Sequence, residues 1–396
     1  MNDNFFIMNF NSNSNASLSS VLKKLQDTAN TPFEESHPIP AEANHSVEFY
    51  KHERNKVFAS EWICIGRDDE IPNTGDYLTY DIAGVPVFVV RQPTKEILGF
   101  VNACAHRFTC LLSDTTGNSK LITCPYHAWT YNLDGTLKSA PFMKMKDGFN
   151  LSDHKLRKLQ TEIWEGFIYV TLDEHPTRSV NTSLEGLKSK IVGRYDMASY
   201  ITVMRETIEW GANWKNLIEN FIESYHVPIA HQKTFAKHKK PIEDYVCGED
   251  ADHYCYHYAP QKSETGLGAA HPKNTKLEGV WRRMMVDFCV FPNHLITLMP
   301  DYLWYISVQP ITIDKFKATW GFAIPPEVLA DIPEENFDKW KKDMLDYMNI
   351  ANDEDKIVVE GLHRGTSSSN LPKGTFHPIE RNLWQFIRYL ARVTKQ

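Results

Sequence analysis

The chain has no long apolar run. Its most continuous stretches, such as GVPVFVV at 84–90, fall far short of the roughly 18–20 residues a spanning helix requires, which excludes an integral helical membrane protein. It also lacks a surplus of basic charge: 43 Lys plus Arg stand against 50 Asp plus Glu, a net charge of −7, so nucleic acid is not expected as a partner. Cysteines are few and odd in number, seven spread over 396 residues, which argues against a disulfide framework and turns attention to metal binding or catalysis. No G-x-G-x-x-G follows a strand and no C-x4-C-x2-C spacing occurs, so the chain carries no flavin, nicotinamide or plant-type ferredoxin motif of its own. The first twenty residues lack the basic n-region and long apolar core of a secretion signal, and a cytoplasmic protein is expected.

What is present suffices for two or three cored domains: 42% of residues are apolar and 12% aromatic. Residues 1–20, rich in Asn and Ser, read as a flexible tail, and 21–60 as a helical segment packing on the catalytic domain. From 61 to 173 short β-branched runs alternate with turn signals such as Asn73-Thr74-Gly75 and Asp134-Gly135, which predicts an antiparallel β domain. From 174 to 396 helical patterns at 184–192, 212–226 and 334–363 bracket strand-like segments at 254–258, 280–291, 295–309 and 316–324. That order predicts an α+β domain, an antiparallel sheet covered by helices.

The β region contains Cys104-x-His106, seventeen intervening residues, and Cys124-x-x-His127. A structural Cys₂His₂ zinc site would usually pair Cys with Cys and His with His. Here each loop brings one of each, which suits a [2Fe–2S] cluster with Cys104 and Cys124 on one iron and His106 and His127 on the other. Cys110 nearby reads as a small buried hydrophobe.

Downstream, NWKNLIENFIESYHVPIAH places Glu219, Glu223 and His226 at helical spacing, with Pro228 expected to end the helix so that His231 swings in from the turn beyond. A mononuclear site with two His needs a carboxylate as third ligand. On the predicted 334–363 helix the apolar residues Phe337, Trp340, Met344, Met348, Ala351, Val358 and Leu362 form a stripe. Asp355 falls in its middle, whereas Glu354 lies about 100° and Asp353 about 160° away. A carboxylate in an apolar stripe needs a neutralising partner, and a metal ion is a good one.

Taken together, CxHR, CPYHAW, NWK and E-x-x-H-x-x-x-x-H resemble the Rieske non-haem iron oxygenases, and the resemblance runs from about Tyr50 to Arg392. It implies a Rieske [2Fe–2S] domain joined to a helix-grip-like catalytic domain. His226, His231 and Asp355 would hold a mononuclear Fe(II) that uses O₂, and Glu223 would bridge electrons from His127 of a neighbouring subunit. It also implies a homotrimer and a separate NAD(P)H-dependent reductase or ferredoxin. Two departures stand out: Phe108 where Gly usually follows CxHR, and His363 where Gln is frequent. Glu rather than Asp in E-x-x-H is similar to the branch acting on quaternary ammonium compounds such as carnitine and glycine betaine. The expected activity is then hydroxylation or N-demethylation of a small substrate, with Trp281, Tyr302, Trp304 and Tyr305 as candidates for a cation–π cage. An aromatic ring-hydroxylating dioxygenase is the alternative reading, with an electron-transfer Rieske protein or a zinc-binding module more remote. The run HYCYHY at 253–258 puts His253, Cys255 and His257 on one strand face, where ordinary packing is expected.

Overall fold

A computed structural model describes residues 15–238, 241–368 and 371–395. The strands are β1 (Ile63–Arg67), β2 (Asp76–Ile82), β3 (Val85–Arg91), β4 (Ile97–Val101), β5 (Thr116–Asn118), β6 (Ile122–Thr123), β7 (Thr130–Tyr131), β8 (Leu137–Ser139), β9 (Lys158–Trp164), β10 (Phe167–Thr171), β11 (Ile201–Trp210), β12 (Val246–Cys247), β13 (Tyr254–Pro260), β14 (Met284–Val290), β15 (His294–Leu298), β16 (Leu303–Thr312) and β17 (Lys315–Ile324). The helices are α1 (Leu18–Asn30), α2 (Val47–Glu53), α3 (Val180–Ser183), α4 (Glu185–Lys190), α5 (Trp214–Phe221), α6 (Val227–Ala230), α7 (Pro326–Ala330), α8 (Glu334–Gly365) and α9 (Arg381–Val393).

The fold class is α+β. The first domain is an antiparallel sheet ordered β1-β10-β9-β4-β3-β2-β5 with a three-stranded sheet, β6-β7-β8, at its tip. The second is an antiparallel sheet ordered β11-β17-β16-β15-β14-β13-β12, a near-complete meander from β12 to β17 with β11 returning to its far edge. Helix α8 packs against α5, α6 and β11, and α1 packs against α9. No helix among the described residues is long and apolar enough to cross a membrane.

Several boundaries differ from expectation for local reasons. Helix α1 begins at Leu18, inside the segment read as tail, because Ser17 caps it by accepting from the Ser20 N–H at 3.3 Å; residues 1–14 lie outside the described residues. The expected strand 295–309 is two strands, with Met299–Tyr302 forming the turn between β15 and β16. The expected helix 212–226 stops at Phe221.

The two sheets are joined by buried polar contacts. The Asn293 amide accepts from the Cys64 N–H at 3.1 Å and donates to the Cys64 carbonyl at 3.0 Å, and Ser307 Oγ donates to that carbonyl at 2.6 Å. Arg67, fully buried, donates to the Tyr200 carbonyl at 2.8 Å. Buried groups so paired hold the domains as one body, since breaking any of them strands a polar atom without water.

Candidate active site

Two loops at the tip of the first domain repeat one backbone design. The Cys104 N–H donates to Thr109 O and its carbonyl accepts from the Phe108 N–H; the Cys124 N–H donates to Trp129 O and its carbonyl accepts from the Ala128 N–H. The fourth residue after each cysteine turns left-handed, Phe108 at φ 62° and Ala128 at φ 57°. That conformation is the reason Gly is the common choice at the first of these positions. Phe108 occupies it and is 80% exposed, so the side chain projects into solvent rather than packing over the pocket.

The loops bring the four predicted residues together. Cys104 and Cys124 are buried, while His106 is half-buried and His127 exposed, their rings 4.7 Å apart between centroids. Burial pushes the Cys104 thiol up, and it faces that of Cys124. Trp129 stacks on His106 at 4.8 Å. His106 Nδ1 is buried without a hydrogen-bond partner among the described residues. Two inward sulfurs, two outward imidazoles and an orphaned ring nitrogen fit a cluster ligated on one side by thiolates and on the other by histidines. Cys110 is a correction: it is exposed, and its neighbour Leu111 fills the buried position.

The second constellation forms where α5 gives way to α6. Pro228 does not terminate a long helix; it sits in the first turn of α6, where its missing N–H costs nothing. His226 and His231 are the residues flanking that one-turn helix, which points both rings toward α8. Glu223 lies in the α5–α6 loop and Glu219 stays on α5, so the single helical stripe expected for Glu219, Glu223 and His226 does not form. Instead the Glu223 carboxylate accepts from the N–H groups of Tyr225 and His226 and lies 2.5 Å from His226 Nδ1.

Asp355 is where the helical stripe placed it. Its Oδ1 is 3.1 Å from His231 Nε2 and 3.6 Å from His226 Nε2, and the three ligand atoms lie within 4.8 Å of one another. Burial pushes the Asp355 carboxyl up, but its contacts with both histidines outweigh that and bring it to about 2. Burial opposes charge on His226 as well, yet Asp355 and Glu223 together raise it to about 10. No hydroxyl or backbone N–H reaches Asp355 Oδ1 among the described residues. Two Nε2 atoms and one carboxylate oxygen on one side fit a metal site that keeps its opposite face open.

Glu354 lies off the apolar stripe yet reaches the site. It is buried, accepts from Thr234 Oγ1–H and at 2.7 Å from the Lys233 N–H, and lies 3.2 Å from His231 Nδ1. Each histidine therefore has a carboxylate on Nδ1, which frees Nε2 for a metal and fixes the ring.

Above these groups lies a cavity with aromatic walls from Phe221, Phe235, Tyr245, Tyr302, Trp304 and Tyr347. Tyr302 and Trp304 are thus at the site, but the four-residue cage is not formed. Trp304 and Tyr305 are consecutive on β16 and face opposite ways; Tyr305 is buried in the core with its hydroxyl on Glu70. Trp281 lies under Arg194 at 4.4 Å. Among the described residues HYCYHY takes part in no metal-ligand group. Cys255 is fully buried, and His257 lies beside Asp287, which borders the cavity.

Fold and site together define an iron–sulfur oxygenase. Residues 61–158 match the Rieske [2Fe-2S] domain and residues 197–396 the ring hydroxylating alpha subunit (catalytic domain), and the chain belongs to the family of Rieske oxygenase alpha subunits. It is similar to the carnitine monooxygenase oxygenase subunit of Escherichia coli (strain K12), 35% identical over 85% of this chain and 86% of the relative. It is also similar to the chloroplastic choline monooxygenase of Arabidopsis thaliana, 26% identical over 90% and 82%. The fold is shared with a quaternary ammonium Rieske monooxygenase solved with L-carnitine (TM-score 0.78, 23% identity, 93% of this chain and 99% of that one). Naphthalene 1,2-dioxygenase from Rhodococcus sp. shares it too (TM-score 0.78, 22% identity, 96% and 98%). The protein is thus the terminal oxygenase of a Rieske system, with a Rieske cluster, a mononuclear iron, O₂ as co-substrate and electrons from a separate reductase.

Proposed function

We propose that this oxygenase is a monooxygenase that hydroxylates or N-demethylates a quaternary ammonium compound. Cys104, His106, Cys124 and His127 hold the cluster, and His226, His231 and Asp355 the mononuclear Fe(II). When bound, the iron supplies O₂ activation, and the cluster supplies electrons one at a time. The observation that carries the reading is the trio His226, His231 and Asp355, with both Nδ1 atoms braced by carboxylates, opening into an aromatic cavity. Glu354 and Glu223 fix the rings, Phe235 and Tyr347 add apolar wall, and Tyr302 and Trp304 offer ring faces to a cationic head. The curated relatives act on carnitine, choline and glycine betaine, which favours this substrate class over aromatic hydrocarbons.

The same reading has Glu223 carry electrons from the cluster of a neighbouring copy in a homotrimer. A solved relative of the same fold is described as transferring electrons between subunits. Apolar side chains exposed around the cluster tip, Phe108 and Tyr126, and beside Glu223, Tyr225 and Ile229, supply two surfaces that a second copy would cover. An electron donor of the NAD(P)H-dependent reductase or ferredoxin type completes the system. A cytoplasmic setting agrees with seven cysteines all free of disulfides.

The test is O₂ uptake by the reconstituted enzyme with reductant across a panel of methylated amines and aromatic acids, with formaldehyde assayed. Amine-dependent uptake is expected. Uptake driven by aromatic acids alone would transfer the chain to the ring-hydroxylating dioxygenases.

A further inference from the structure

We infer that Asp287 is the counter-charge for the substrate's cationic head and sets the preference for a cation over a neutral molecule of the same shape. The inference rests on the quaternary ammonium reading above and assigns its selectivity to one residue.

Strand register sets where Asp287 lies. His257 of β13 pairs with Asp287 of β14, Asp287 with Thr297 of β15, and Thr297 with Trp304 of β16. Residues directly opposite one another in adjacent strands share a face, so these four form a row across the sheet. Asp287, Thr297 and Trp304 all border the cavity that also holds His226, His231 and Asp355. The row therefore places a carboxylate and an indole ring in the same wall, with one hydroxyl between them.

Whether that carboxylate keeps its charge depends on His257, whose Nε2 lies 3.3 Å from Asp287 Oδ2. The Asn382 side chain answers the question. Its Nδ2 donates to the Ile222 carbonyl at 3.0 Å, which fixes the amide's orientation, and the same NH₂ lies 3.2 Å from His257 Nδ1. An amide NH₂ only donates, so Nδ1 must accept. The ring is then neutral, with its one hydrogen on Nε2, shared between Ser224 Oγ at 2.7 Å and Asp287. Among the described residues the other partner of Asp287 is the Thr297 hydroxyl, which donates to Oδ1 at 2.6 Å. Both are neutral donors, so neither sets a positive charge against the carboxylate.

No Lys or Arg appears among the described residues lining the cavity, and the carboxylate side chain is only 12% exposed. Among the described residues no cation is paired with this buried carboxylate, and the substrate's cationic head is what can supply one. A trimethylammonium group has no hydrogen to donate, so it is recognised by diffuse negative charge: a carboxylate close by and aromatic faces around it. Tyr302 and Trp304 provide the faces and Asp287 the charge. A neutral ligand would strip water from Asp287 and return nothing, which is how one residue discriminates by charge at constant shape.

The experiment compares choline with 3,3-dimethylbutan-1-ol, its isostere with carbon in place of the ammonium nitrogen. Both are titrated calorimetrically into the metal-loaded wild type and Asp287→Asn, with the cluster's EPR signal as the check on folding. Wild type should prefer choline by at least about tenfold, and Asp287→Asn should weaken choline by about 10- to 100-fold without weakening the isostere. If Asp287→Asn keeps the wild-type preference while amines still drive O₂ uptake, the inference falls and the functional reading stands. If wild type binds the isostere as tightly as choline, the inference falls together with the cationic-substrate reading. Equal binding of the two by wild type overturns the inference even should the variant fail to fold.

Discussion

Tyr131 accepts the backbone N–H of Ala105 on its hydroxyl oxygen at 3.0 Å, which leaves its own hydrogen directed at Cys104 Sγ, 3.2 Å away. Donation to a cluster sulfur favours the more negative, reduced state. Tyr131→Phe should therefore lower the cluster's midpoint potential in a redox titration followed by EPR, with the signal itself retained; an unshifted potential would mean the hydroxyl does not act on the sulfur. The four proposed cluster ligands were legible because each pair lies within one short loop and carries its spacing on the surface of the sequence. Tyr131 was not, because it meets Cys104 only through the strand that follows the second loop. Asp355 was legible from its place in an apolar stripe, whereas Glu354 was passed over because a helical wheel does not show that the α6 turn reaches over to it with His231, Lys233 and Thr234.

Helix α8 shows how far a periodic pattern carries. Its buried face runs through Met348, Ala351, Asn352, Asp355, Val359 and His363, while Val358 and Leu362, which the apolar stripe had turned inward, are 39% and 41% exposed. The pattern located the helix and Asp355 but not the exact face, which packs on α5 and β11 and takes in Val359. His363 at the end of that face accepts from the Asn213 N–H at 3.3 Å and stacks on His45 with centroids 4.5 Å apart. Burial first, then the charges of His45 and Lys215, against an opposing influence from Asp314, lower it from 6.5 to about 4. The unfolded chain thus binds a proton near pH 6.5 that the folded chain refuses until about pH 4. Stability rises with pH wherever the unfolded state holds more protons, so acidification through this window removes stability. His363→Gln should flatten the dependence of the denaturation midpoint between pH 6.5 and 4. An unchanged slope would assign the acid sensitivity to other groups.

At the scale of the whole molecule, the first domain presents its histidines outward at one tip, and the second braces His226 with Glu223 beside exposed Tyr225 and Ile229. The sequence made the two kinds of domain legible through their texture. The joint between them was hidden, because Asn293 and Ser307 meet Cys64 across more than 200 positions of chain. If Glu223 carries electrons between copies, Glu223→Gln should retain iron and cluster while single-turnover cluster oxidation slows by orders of magnitude. Wild-type rates in that variant would remove the bridging role.

The most direct measurement is iron content together with the EPR spectrum of the reduced protein, for wild type and Asp355→Ala after anaerobic Fe(II) loading. About three irons per chain are expected in wild type and about two in the variant, with an identical cluster signal in both and no substrate-dependent O₂ uptake in the variant. A variant that keeps the third iron, or a wild type that holds zinc and shows no cluster signal, would contradict the two-site assignment.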